Sequence, residues 1–148
     1  MGNVRKRVIA LLGASFIATA TFGANIVQAN NWKDTEYNFY FTNQHLYTNA
    51  REKEDKSKLY MNCTGISNTN GSYSARAFGT NSSTSYGVDE SDGGRWTYIF
   101  KAGVKHYMSS NVKEHGYKYA RIRGTSLISQ SFKATTQWSP DNYAGIGN

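Results

Sequence analysis

Apolar and polar positions alternate with a period of two along most of the chain, the mark of half-buried strands rather than of helices. Tyr37, Phe39 and Phe41 share one face of residues 37–42. Leu59, Met61 and Cys63 share one face of the next such stretch, with Tyr60, Asn62 and Thr64 opposite. Tyr73, Ala75 and Ala77 alternate with Ser74, Arg76 and Phe78, and Trp96, Tyr98 and Phe100 with Thr97, Ile99 and Lys101. Val104, His106 and Met108 make another stripe; Phe132, Ala134, Thr136 and Trp138 make the last. Over residues 118–123, Tyr119, Arg121 and Arg123 oppose Lys118, Ala120 and Ile122, which leaves open the face that is buried. Turn-forming Gly, Asn, Ser and Asp cluster at 65–71, 79–87, 89–94 and 113–116, supplying the positive backbone dihedrals of tight turns. About seven short strands so spaced predict an all-β fold, a single antiparallel β-sandwich over residues 32–140.

Residues 49–58 alone carry a helical spacing, Glu52 with Lys56 and Glu54 with Lys58. Such pairs contribute only about 0.2–0.5 kcal/mol each, so the segment is read as a solvated turn or charged strand edge. Residues 80–85 read as a mobile loop. The tail after Trp138 holds the only Pro and little that could pack, and is expected to fray.

Residues 1–29 stand apart from this pattern. Arg5, Lys6 and Arg7 precede an uncharged apolar run over residues 8–24, which closes at Val27-Gln28-Ala29. Positive charge held on the cytoplasmic side, an apolar run and short residues at its end are the three parts of a cleavable secretory signal. The reading is therefore a signal peptide at 1–29 and a β-sandwich domain with a flexible C-terminal tail at 30–148, secreted to the cell exterior without a lasting membrane anchor. The leader supplies three of the seven net positive charges, so the exported domain is only mildly basic. The full 148 residues allow one ordinary domain, and a single Cys excludes an intrachain disulfide framework.

Catalytic patterns are not found. His45, His106 and His115 lack metal-motif spacing; His106 sits on an inward stripe and His115 in an exposed turn. Cys63 shares a face with Leu59 and Met61, where a thiol behaves as a small hydrophobe. No Gly-x-Ser-x-Gly elbow or phosphate-binding Gly-rich loop occurs in residues 30–148. The acidic run at 89–94 has oxygen ligands suited to calcium but not the spacing of a calcium loop, and reads as a hairpin turn. The expectation is a protein that is not an enzyme and has no catalytic residues, metal or cofactor.

Binding is better supported. Lys101, Lys105, Lys113, Lys118, Arg121, Arg123 and Lys133 gather in the C-terminal half, interleaved with Tyr107, Tyr117 and Tyr119. Aromatic faces stack on sugar rings while ammonium and guanidinium groups attract anions. The candidate binding residues are Trp96, Lys105, Tyr107 and Lys118, with Tyr119, Arg121, Arg123 and Trp138. The partner would be an anionic cell-wall polymer or surface glycan of a Gram-positive envelope. Nucleic acid fits such a patch but not an exported address.

Residues 50–60 (AREKEDKSKLY), Gly103-Val104-Lys105-His106-Tyr107, residues 120–123 and Gln137-Trp138-Ser139-Pro140-Asp141 together resemble an uncharacterised family of small exported Firmicute proteins, classed only as a domain of unknown function. The resemblance covers most of residues 35–142 and implies an exported, β-rich protein with no assigned activity. A weaker similarity, carried by Gly93-Gly94-Arg95-Trp96 and the Tyr- and Ser-rich strands, is to bacteriocins of the lactococcin 972 type, which act on cell-wall synthesis. The function expected is envelope binding without catalysis, bacteriocin-like or bacteriocin-associated. The alternative is a carbohydrate-binding module with Trp96, Trp138 and tyrosines as its platform.

Overall fold

The alternation is realised in ten strands of the computed structural model, which describes residues 31–142. In chain order they are β1 (Thr35–Phe41), β2 (His45–Tyr47), β3 (Arg51–Glu52), β4 (Leu59–Ile66), β5 (Tyr73–Thr80), β6 (Val88–Asp89), β7 (Tyr98–Phe100), β8 (Lys105–Met108), β9 (Tyr119–Ser126) and β10 (Phe132–Ser139). Two antiparallel sheets result, and no helix is present among the described residues. Sheet A runs β1-β10-β4-β8. Sheet B is built on the β9–β5 pair, with β2 and β3 along the free side of β9 and β6 and β7 along that of β5. The proposed leader lies outside the described residues.

Inward positions match the stripes. Phe39, Phe41, Leu59, Met61, Cys63, Phe132, Ala134 and Trp138 from sheet A are buried against Tyr73, Ala75, Ala77, Phe100, Ala120 and Ile122 from sheet B. The face left open in β9 is thereby decided: Ala120 and Ile122 go in, and Tyr119, Arg121 and Arg123 go out. Aromatic rings form the centre, with Phe39 stacked on Phe41 at 5.2 Å and Tyr73 stacked on Phe100 at 5.3 Å. Each such pair adds about 0.5–1.5 kcal/mol beyond its burial. Gly124 has to be small, because a Cβ there would lie 2.9 Å from the Phe41 ring. His106 is satisfied on the inward stripe, its Nε2 3.2 Å from the Ile99 carbonyl and its ring edge-on to Phe100.

Two expectations are overturned at one pole of the sandwich. The segment after Trp138 does not fray at residues 139–142, which are buried; the rest of that tail lies outside the described residues. The charged run 49–58 is not simply a solvated edge. It begins as β3, but Lys53 is 1% exposed and pairs at 2.8 Å with Asp141, itself fully buried. Beside them Arg51 donates to the Trp138 carbonyl at 2.7 Å, the Lys33 carbonyl at 2.7 Å and Asn31 Oδ1 at 2.8 Å, and lies over the Trp138 ring. Three stretches far apart in sequence are thus tied together where β1 and β10 meet.

Candidate functional site

The outward face of sheet B is built by the same period that fills the core. Because Ala120, Ile122 and Gly124 point inward, Tyr119, Arg121 and Arg123 stand on the outer surface. Cross-strand register then puts Arg123 opposite Arg76 of β5 on one side and Tyr47 of β2 on the other, and Arg121 opposite Phe78. Like charges facing one another across a ladder repel. The fold resolves this by turning Arg76 toward Asp89, at 3.3 Å, and Thr97 Oγ1, at 2.8 Å. Arg123 instead lies over the Phe78 ring, 4.7 Å from its centroid.

Phe78 meets Tyr47 edge-on at 5.3 Å, and Tyr47 meets Tyr86 at 4.8 Å. Tyr86 is 67% exposed, so this aromatic row runs from a covered ring out to solvent. Arg121 donates to the Ser83 carbonyl at 2.7 Å, tying the exposed loop 81–86 to β9. A cleft of about 260 Å³ opens beside it, lined by His45, Tyr47, Asn49, Tyr86 and Arg121 among others. The Nε atoms of Arg121 and Arg123 are both shielded from solvent and meet no acceptor among the described residues. Tyr37, which also lines the cleft, donates its hydroxyl to the Tyr47 carbonyl at 2.7 Å. Burial pushes that phenol up, while the charge of Arg121 acts in the opposite direction.

The remaining candidates are dispersed. Lys105 and Tyr107 stand on the outer face of sheet A, where Tyr107 packs on Tyr60 at 5.3 Å and Lys105 is opposite Asn62. That face points away from the arginines across the thickness of the sandwich. Lys118 precedes β9 and lies over the Tyr119 ring at 5.3 Å. Trp96 is half-buried in the turn after Asp92, its backbone N–H donating to the Ser91 carbonyl. Trp138 is 1% exposed and belongs to the core, so it cannot be a surface platform. Tyr47, Phe78 and Tyr86 were missed as site residues; β2 is only three residues long and is invisible to a search for alternation.

The acidic run 89–94 is occupied by the protein's own donors. Asp89 accepts from the Ser91 N–H and hydroxyl as well as from Arg76. Burial acts to raise its carboxyl, but these donors and the Arg76 charge hold it below the usual carboxylate range. Glu90, 4% exposed, meets His115 Nδ1 at 2.6 Å, which gives that turn histidine a partner the sequence did not show. Among the described residues no three His, Cys, Asp or Glu side chains gather as metal ligands. Cys63 is fully buried and desolvation pushes its thiol up, which keeps it protonated and unreactive.

Residues 25–142 match the family described as protein of unknown function (DUF2712), and the chain belongs to it. No curated protein and no solved structure matches the chain.

Proposed function

We propose that the protein is exported and binds an anionic polymer of the bacterial cell envelope, without catalysis, through the outer face of sheet B. The observation that carries this reading is the pair Arg121 and Arg123, side by side on β9, each with a covered Nε that meets no acceptor among the described residues. An arginine in that state favours a ligand oxygen, because a desolvated donor without a partner costs about 1–3 kcal/mol. Guanidinium groups suit phosphate and carboxylate through paired parallel hydrogen bonds. The aromatic row Phe78–Tyr47–Tyr86 beside them offers faces for the sugar or polyol portions of such a polymer. Export rests on the basic and apolar parts of residues 5–29.

The test is retention of the purified protein on Gram-positive cell walls at low and high salt. Retention should fall as salt rises, and fall again in Arg121→Ala/Arg123→Ala, with Lys105→Ala as the unaffected comparison. Equal retention of wild type and the double variant would sink the reading. If walls are bound, growth inhibition of related bacteria tests the bacteriocin-like role. A second reading, binding of neutral carbohydrate, is favoured by the outer face of sheet A, where Tyr60 and Tyr107 pack together and Tyr107 is 39% exposed. Salt-insensitive retention lost in Tyr107→Ala would select it.

A further inference from the structure

The Lys53–Asp141 pair is placed for more than an ion pair. Lys53 Nζ lies 2.8 Å from Asp141 Oδ1, and the two side chains are 1% and 0% exposed. The other Nζ hydrogens go to the Pro140 carbonyl at 2.7 Å and the Ser57 carbonyl at 2.6 Å, which fixes the nitrogen in one position. The carboxyl is held unevenly. Its Oδ2 accepts the backbone N–H groups of Glu54 at 3.0 Å and Asn31 at 3.3 Å, so two fixed donors converge on one oxygen. Its Oδ1 faces the amine and the Asp55 N–H at 3.4 Å. A second carboxyl, Asp55, stands beside the pair; burial acts to raise it, but the Ser57 hydrogen bonds, its N–H at 2.8 Å among them, and the Lys53 charge hold it below the usual carboxylate range. Nucleophile, electrophile and oxyanion donors therefore converge in one buried site.

We propose that Lys53 and Asp141 join in an intramolecular amide bond. Lys53 passes one ammonium proton to Asp141 Oδ1 along their 2.8 Å hydrogen bond, and the freed Nζ lone pair attacks Asp141 Cγ. The developing negative charge falls on Oδ2, between the Glu54 and Asn31 N–H groups, an oxyanion arrangement in which preorganised donors stabilise the transition state. Oδ1 then leaves. Already carrying the first proton, it takes a second from the attacking nitrogen and departs as water. The Nζ–Cγ bond forms, the Cγ–Oδ1 bond breaks, and ammonium plus carboxylate become amide plus water with no other reactant.

Two general effects drive the step. Burial penalises the separated charges heavily and a neutral amide hardly at all. Groups held in contact also react intramolecularly, with effective concentrations that reach about 10⁵–10⁸ M where they are well oriented. The proposal is independent of what the outer face of sheet B binds.

Intact-mass spectrometry of the folded full-length protein is the test, followed by protease digestion. The expected result is a mass one water below that of the sequence, and a branched peptide joining Lys53 to Asp141. Lys53→Arg keeps the cation but removes the nucleophile, and should restore the full mass. Asp141→Ala removes the electrophile and should likewise show the full mass of its sequence. A full wild-type mass after prolonged incubation of the folded protein overturns the proposal. Loss of water without the branched peptide also overturns it, because that result marks dehydration elsewhere in the chain.

Discussion

At the scale of single residues, the turn between β6 and β7 shows how one side chain dictates another. Arg76 reaches across this turn to Asp89 and Thr97, and its guanidinium lies where a Gly94 side chain would be: a Cβ there would sit 2.8 Å from Nη1. Gly94 also has φ near +90°, a conformation that costs any other residue energy. Gly94→Ala should therefore destabilise by about 1–3 kcal/mol, measured by denaturant unfolding. Gly93→Ala, also at positive φ but with no neighbour within 4 Å, should cost less; equal costs would show that Arg76 is not the obstacle. Asp89 adds a pH dependence. Its carboxyl is held low in the folded protein, so its contribution is fully present above the unfolded value of about 3.9. That contribution is lost as pH falls through the lower folded value. Asp89→Asn should flatten the acid limb of a stability–pH curve, while leaving the curve parallel to wild type above pH about 5.

At the scale of elements, β9 divides two jobs between its faces. Ala120, Ile122 and Gly124 close the core under Phe39 and Phe41, whereas Arg121 and Arg123 make the candidate site. Substitutions should separate accordingly. Ile122→Ala removes a fully buried side chain and should cost about 2–5 kcal/mol. Arg123→Ala loses a stacking contact worth about 0.5–1 kcal/mol and should lower wall retention with little change in unfolding midpoint. Loss of fold in the arginine variant would assign it to the scaffold. The alternation made most of these faces legible in advance, down to Phe132, Ala134, Thr136 and Trp138 on one side of β10. Periodicity does not carry strand order, however. Lys105 and Arg121 look like members of one basic cluster in sequence, yet β8 lies in sheet A and β9 in sheet B. Strands as short as β2, β3 and β6 contain too few residues to show any period, and the aromatic row of the site depends on one of them.

At the scale of the whole molecule, the sandwich is closed at the pole where Asn31, β3 and the segment after β10 converge. Lys53 looked solvated because it sits in a charged run, and its partner lies 88 positions away, beyond the reach of any local pattern. Trp138 lies on the stripe of β10 that alternation marks as inward, and its 1% exposure, with Arg51 over its ring, excludes the surface platform also expected of it. Removing Asp141 would strand a buried ammonium, so Asp141→Ala should cost about 3–5 kcal/mol, and a chain stopped before Ser139 should fare no better. Lys53→Arg separates the two possible roles of the pair. If the pair is only ionic, arginine can still meet the carboxylate, and the penalty is confined to imperfect packing. If it is covalent, the variant also frees an unfolded-state loop of that length; for cross-links closing loops near 100 residues the chain-entropy estimate is about 4.7 kcal/mol. The expected outcome is a fall of that order in unfolding free energy for Lys53→Arg. A small loss would identify the pole as an electrostatic clasp, which holds β3 and the segment after β10 together without any cross-link.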